Sequence, residues 1–230
     1  MINNISGIRI KNALKTMRPV NVTPVRMGRD NDGGYIFIND IDKNDYVISM
    51  GVADDVSFEK DISGIVGFID IYDYSIDSLP DNVNNSVFFK EKIGSSSGYV
   101  LERIPKNFDS ILKIDIEGGE WEFFRSLSEE DINRFRQIVV EIHWMIDDGE
   151  IYIKECPVEV IEKINNTHQI ISVHPNNNAD CVIIDGITIP KVLELTFLRR
   201  TSYQFINEEY KPSHLFMDNN IEKPSIENFL

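Results

Sequence analysis

The sequence predicts an α/β fold built on a mostly parallel sheet flanked by helices. Three observations carry this. Short apolar runs alternate with amphipathic stretches from Tyr46 to Leu198, the pattern of strands that return through helices. Several runs end in acids or imidazoles, at Asp70, Asp115/Glu117, Glu141/His143 and His174/Asn176. In open α/β sheets the ligand crevice lies beyond the carboxyl ends of the strands. No internal repeat and no linker-like composition divides the 230 residues, a length suited to one full-sized core. The expected organisation is a single domain, with an N-terminal helix and hairpin lid over 1–45, a core over 46–200 and a tail over 201–230.

The bulk charge narrows the function classes. At −15 the chain would be repelled by nucleic-acid backbone and by anionic membrane, so neither is an expected partner. No run approaches membrane-spanning length, and the first twenty residues lack the apolar core of a signal peptide. Cys156 and Cys181 are not in CxxC spacing and read as reduced, buried thiols, which suits a cytoplasmic protein.

The elements follow in order. Spaced apolar residues over 4–17 fit a short helix, stopped by Pro19 and Pro24. Asp32-Gly33-Gly34 marks a turn before an apolar strand at Tyr35. The glycines there would let backbone approach a ligand, and Arg26 or Arg29 offers a charge. Tyr46–Val52 is a buried strand that runs through Gly51 into Asp54, Asp55 and a helix from Ser57, the opening of a Rossmann-type unit. Its turn has one glycine and two aspartates, which suits a positively charged or donor-rich cofactor better than a pyrophosphate. The run 64–71 is the next strand. Its Asp70 follows Gly51 by the interval expected for an acid that accepts ribose hydroxyls, with Asp73 the weaker candidate. Ser86–Ile93 is a third strand, closing on a Gly/Ser-rich loop.

The fourth strand, Ile111–Asp115, leads through Glu117-Gly118-Gly119 into a helix. Ser128-x-x-Asp131 resembles a capping box at a second helix start. Gln137–Trp144 is the fifth strand, 157–166 a helix, and Gln169–Val173 the sixth strand. Cys181–Ile184 and Leu193–Leu198 are expected to supply the last strands, and 207–230 a surface-wrapping tail. Asp115, Glu141, His143 and His174 form a mixed carboxylate and imidazole set, which fits a general base or a divalent-metal site.

These residues also carry a family resemblance. Arg26-x-Gly28-x4-Gly33-Gly34-Tyr35, Ser49-Met50-Gly51-Val52-x-Asp54-x2-Ser57-Phe58-Glu59, Lys113-Ile114-Asp115-Ile116-Glu117-Gly118-x-Glu120-Trp121, Glu141-Ile142-His143, His174-x-Asn176-Asn177 and Pro190-x2-Leu193-Glu194-Leu195-Thr196 resemble, in this order, the FkbM-like group of class I S-adenosylmethionine-dependent methyltransferases. The departure is the first loop, where the usual glycine-rich motif is reduced to Gly51 plus acids. The resemblance implies a Rossmann-like seven-stranded sheet with its last strand antiparallel. It implies S-adenosyl-L-methionine bordered by Gly51, Asp54, Ser57 and Gly33, its ribose held by Asp70 and its adenine near Ile93 in the Lys92–Ser95 turn. It implies O-methylation of a hydroxyl on a sugar, glycan or glycosylated small molecule. Asp115, Glu141 and His143 would then be catalytic. Those three and His174 would be the candidate ligands of Mg²⁺ or Mn²⁺, and Glu117 and Asn176 would face substrate. Two other classes stay open: a Rossmann-like nucleotide-sugar or dehydrogenase enzyme, and an inactive methyltransferase fold used for binding.

Overall fold

The computed structural model describes residues 6–144 and 157–230, and the backbone at 146, 147, 150 and 151. The chain opens with α1 (Gly7–Ala13), a two-residue strand β1 (Arg18–Pro19) and a hairpin of β2 (Pro24–Met27) and β3 (Tyr35–Ile38). There follow β4 (Asp45–Met50), α2 (Ser57–Ser63), β5 (Phe68–Tyr72), β6 (Ser86–Phe89), a 3-10 helix (Ser97–Arg103) and β7 (Asp109–Ile114). Then come α3 (Glu120–Ser126), α4 (Glu129–Ile132), β8 (Phe135–His143), β9 (Ile146–Asp147), β10 (Glu150–Ile151), α5 (Pro157–Asn165) and β11 (His168–Pro175). The last elements are β12 (Cys181–Ile184), β13 (Ile187–Pro190), β14 (Val192–Arg199) and β15 (Phe205–Ile206), before a largely irregular tail.

Seven strands form the central sheet in the order β11-β14-β8-β7-β4-β5-β6. The ladders β4–β5, β4–β7, β5–β6 and β7–β8 are parallel. β14 runs antiparallel to both neighbours, β8 and β11, as the resemblance implies. Order reverses at β4, which stands between β5 and β7, so the crevice opens at its carboxyl end. Buried strands covered on both faces need apolar residues on both sides. β4 and β8 accordingly read as nearly continuous buried runs. One face packs against α1, α3 and α5 through Trp121, Phe123, Phe124 and Ile161. The other packs against α2 and the hairpin through Phe37, Phe58 and Ile62.

The capping box forms as read: Ser128 Oγ accepts from Asp131 N–H and Asp131 accepts from Ser128 N–H, each at 3.0 Å. Three expectations change. Cys181–Ile184 is not a strand of the central sheet; it pairs with β13 in a separate hairpin. Cys181 is half-buried rather than core, and burial pushes its thiol pKa up. Cys156 lies outside the described residues. The tail is also more than a surface wrap, because Asn219 is 6% exposed and bonds into the sheet.

Candidate active site

A cavity of about 590 Å³ opens beyond the carboxyl ends of β4, β5 and β7. Its walls are Gly33 and Tyr35 of the hairpin, Gly51 and Asp54 after β4, Tyr72 and Asp73 at the end of β5, Ile93, and Asp115 and Glu117 after β7. Nine carboxylates line it (Asp32, Asp54, Asp55, Glu59, Asp73, Glu91, Asp115, Glu117 and Glu122), against the three cations Arg29, Lys92 and Lys113. Two of those cations are committed within the protein. Arg29 lies 3.3 Å from Asp55, and Lys113 donates to the Gly51 carbonyl.

The half of the crevice around β4 and β5 is made largely by backbone. Gly51 has φ +78°, and a Cβ there would lie 1.6 Å from the Asp115 carbonyl oxygen. Only glycine fits where these two strand ends meet. Asp73 Oδ2 accepts from the N–H groups of Val52 (2.9 Å) and Ala53 (2.8 Å), while Oδ1 accepts from Ser75 N–H (2.7 Å) and Oγ (2.6 Å). Burial works against this carboxylate, but the Ser75 hydroxyl and the three backbone donors outweigh it and hold its pKa below the ordinary value.

Asp70 is elsewhere. β5 continues two residues past it to Tyr72, and Asp70 sits within the strand, fully buried. Its carboxylate takes Arg103 Nε at 2.5 Å and Nη2 at 3.2 Å, which anchors the 3-10 helix, and it does not line the cavity. The acid at the crevice is Asp73. Ser57 is likewise off the cavity wall, its hydroxyl donating to Asp55 and accepting from Arg29 N–H. Arg26 braces the hairpin turn, donating to the Gly34 and Asn31 carbonyls.

Behind the wall at Tyr35, Asp115 and Glu117 stands a cluster of side chains, of which His143, Glu120, Glu141, Glu194 and His174 are not themselves on the cavity wall. His143 ends β8, with Nε2 3.3 Å from Glu117 and 3.5 Å from Glu141, and Nδ1 3.4 Å from Glu120. Burial alone would lower its pKa; Glu120, Asp115 and Glu117 outweigh that and raise it. Glu120 is fully buried and accepts from the N–H groups of Ile116 and Gly118, fixing the turn that carries Glu117. Glu117 itself holds a left-handed backbone at φ +53°, a strain tolerated where the turn demands it. Trp121 Nε1 donates to the His143 carbonyl at 2.6 Å. Tyr35 donates from the hairpin to Asp115 Oδ2 at 3.0 Å. One ligand atom each from Asp115, Glu117 and His143 lie within 4.8 Å of one another.

Glu141 on β8, Glu194 on β14 and His174 on β11 stand in register across three adjacent strands. Glu141 is almost wholly buried; desolvation first, then Asp115, Glu194 and Asp32, push its pKa well up. Asn176 answers with its amide, 3.3 Å from each Glu141 oxygen, and is not on the cavity wall. His174 turns to Glu194 (3.1 Å) and lies against Phe216 of the tail, away from the cluster of Asp115, Glu117 and His143.

A model of the methyltransferase FkbM domain matches residues 43–173, more than half of the chain. The chain belongs to the FkbM-domain methyltransferases. No curated protein matches it in sequence. Among solved structures, it is similar to a fibrillarin/Nop5p complex chain (14% identity, 69% of this chain and 74% of that one, TM-score 0.44). It is also similar to an rRNA methylase from Streptococcus thermophilus (9% identity, 69% and 89%, TM-score 0.42). A third is a putative methyltransferase from Streptococcus mutans in complex with SAH (9% identity, 69% and 88%, TM-score 0.37). These are likenesses of outline.

For a methyltransferase of this family the cofactor is S-adenosylmethionine, and the crevice fits it. The Gly51 turn leaves room for no side chain, and the acids around it suit a sulfonium and an ammonium. Four residues of the site were not singled out from sequence. Tyr35 and Glu120 lie inside the motifs that carry the family resemblance, with no site role assigned to either. Glu194 was signalled by an acid inside an otherwise apolar strand. Asn219 had no local signal.

Proposed function

We propose that this methyltransferase transfers the methyl group of S-adenosylmethionine to a hydroxyl of a sugar, glycan or glycosylated small molecule, with His143 as general base. The observation that supports it is His143 at a strand end, its main-chain carbonyl bonded by Trp121 Nε1 and its imidazole within 3.5 Å of Glu117, Glu120 and Glu141. Bound in the β4–β5 half, the cofactor supplies an electrophilic methyl on a sulfonium. Gly51 and Asp54 border its methionine part, Ile93 and Lys92 its adenine. Asp73 takes the ribose in place of Asp70; exchanging the Ser75 donor for a ribose hydroxyl keeps its bond count at four. The chain's own residues then do two things. They hold the acceptor oxygen in line, which Glu117 and the turn fixed by Glu120 suit. They also remove its proton, because a sugar hydroxyl is a weak nucleophile. The neighbouring acids stabilise the imidazolium that results.

A second reading is supported by the close approach of Asp115, Glu117 and His143. Two carboxylates and one imidazole suit Mg²⁺ or Mn²⁺, which would orient the acceptor oxygen and lower its pKa. His143 serves one role or the other. The test is label transfer from S-adenosylmethionine to a panel of sugar acceptors with and without EDTA, with the new ether located by mass fragmentation. Undiminished turnover after chelation removes the metal reading. Label on nitrogen, or on no acceptor, removes hydroxyl transfer.

A further inference from the structure

The β2–β3 hairpin carries a guanidinium that the protein itself uses only in part. Arg29 lies between the two strands and is on the cavity wall, with Gly33, Gly51, Asp54 and Asp55. A closed ring of bonds fixes it there. Its N–H donates to Ser57 Oγ at 2.7 Å, and Ser57 Oγ donates to Asp55 Oδ2 at 2.9 Å. Arg29 Nε lies 3.3 Å from that same oxygen and donates to the Asp32 carbonyl at 2.5 Å. Asp55 N–H donates to the Val52 carbonyl at 2.8 Å, which ties the ring to the turn after Gly51. A Cβ at Gly33 would lie 2.2 Å from Asp55 Oδ2, so the hairpin closes on this pair with no room for a side chain. Among the described residues no partner meets the Nη1 and Nη2 groups of Arg29, and its side chain is 47% exposed.

The cavity needs such a group. The methionine end of the cofactor brings a carboxylate as well as an ammonium. An acid-lined wall attracts the ammonium and the sulfonium and repels the carboxylate. Three cations share that wall. Lys113 is spent on the Gly51 carbonyl and on the buried Glu59. Lys92 Nζ lies 5.3 Å over the Tyr74 ring, next to Ile93 at the end given to the adenine. Arg29 is the cation tied to the Gly51 turn.

We propose that Arg29 binds the α-carboxylate of the cofactor through its two Nη groups, and so makes the enzyme select the amino-acid form of the cofactor over forms that lack the carboxylate. This rests on the cofactor placement above, with the methionine part beside Gly51 and Asp54. A guanidinium fork meets a carboxylate with two parallel N–H bonds. Asp55 and the Asp32 carbonyl hold Nε, which orders the fork before the ligand arrives. A group ordered in advance loses less freedom on binding. Ser57, itself off the cavity wall, acts on the cofactor through Arg29.

Calorimetric titration of the full chain with three ligands tests this. They are SAH, its decarboxylated analogue, which keeps the amine, and methylthioadenosine, which has neither group. SAH should bind ~10–100-fold more tightly than the decarboxylated analogue, the range for a hydrogen bond to a charged group. Arg29→Gln should weaken SAH by about that factor and leave the other two ligands unchanged. Arg29→Lys keeps the charge but loses the fork, so its SAH affinity should fall between the two. If Arg29→Gln does not fold, as thermal unfolding without ligand would show, Arg29→Lys carries the same comparison. Equal weakening of all three ligands overturns the proposal and leaves Arg29 a brace of the hairpin. So does equal binding of SAH and the decarboxylated analogue by the unaltered chain, or a preference that survives Arg29→Gln and falls with Lys92→Gln. Binding of none of the three ligands overturns the cofactor placement as well.

Discussion

The cavity wall at β4 and β5 and the cluster behind it at β8, β14 and β11 are two halves of the site built from different material. Around β4 and β5 the wall is backbone: the Gly51 turn, the N–H groups of Val52 and Ala53 gathered by Asp73, and a lysine spent on the Gly51 carbonyl. Behind the wall, on β8, β14 and β11, it is side chains on rigid strands, with Glu141, Glu194 and His174 in register across the ladder. In the proposed reading the first half would face a reagent that never changes and the second the partner that sets specificity. Backbone geometry admits few substitutions, whereas side chains on a fixed strand can be exchanged one at a time.

The largest expected effect is on the backbone side. Gly51→Ala forces a Cβ onto the Asp115 carbonyl at 1.6 Å and a positive φ on alanine. Calorimetry should find no SAH binding, and thermal unfolding a loss of about 3 kcal/mol from overpacking and strain. Retained SAH affinity would break the distinction between the halves. Next, His143→Gln should cut turnover ~10²–10⁴-fold, the usual range for a general base, while leaving SAH affinity alone. The raised pKa of His143 fixes the sign of the pH profile. The base must be neutral, so kcat should climb with pH through a midpoint above the ordinary imidazole value, and a midpoint below it would exclude His143 as base. Third, Asp73→Ala should weaken SAH roughly 10–100-fold, as for a lost hydrogen bond to a charged group. Asp70→Asn should chiefly loosen the 3-10 helix; the opposite ranking would restore Asp70 to the ribose.

The smallest effect on the site itself lies outside both halves, at His168, and serves as their control. His168 is buried against the Phe135 carbonyl, and desolvation pulls its pKa down to about 4. Below pH 6.5 the unfolded chain takes up a proton that the folded chain refuses until about pH 4. Stability should therefore fall across that window, by about 3 kcal/mol at its acid end. His168→Gln should flatten this part of the curve without touching SAH affinity, which chemical denaturation at several pH values would measure.

Alternation of apolar runs made the sheet legible, and the Gly51 turn with the acid-tipped strand ends made the crevice legible. What failed were placements that depend on where a strand stops. Asp70 and Asp73 both look like terminal acids in FIDIYD. Hydrogen bonding carries β5 on to Tyr72, so three residues of sequence decide which acid reaches the cavity wall. His174 was read toward the metal set because a strand end was visible, but not its neighbour Glu194, which claims it. Asn219 was illegible for a different reason: its partners are 25 and 187 residues away, and no local pattern encodes such a contact.

Asparagines hold the tail in place. Asn177 and Asn220 exchange side-chain and main-chain hydrogen bonds at 2.8 and 2.7 Å, and Asn219 spans two carboxylates. Amides are among the thermolabile groups of a protein. Slow hydrolysis of Asn219 would set an aspartate between Asp32 and Glu194, turning two attractions into two repulsions. The anchorage of the tail thus carries its own clock, and an aged preparation should release the tail before it loses the sheet.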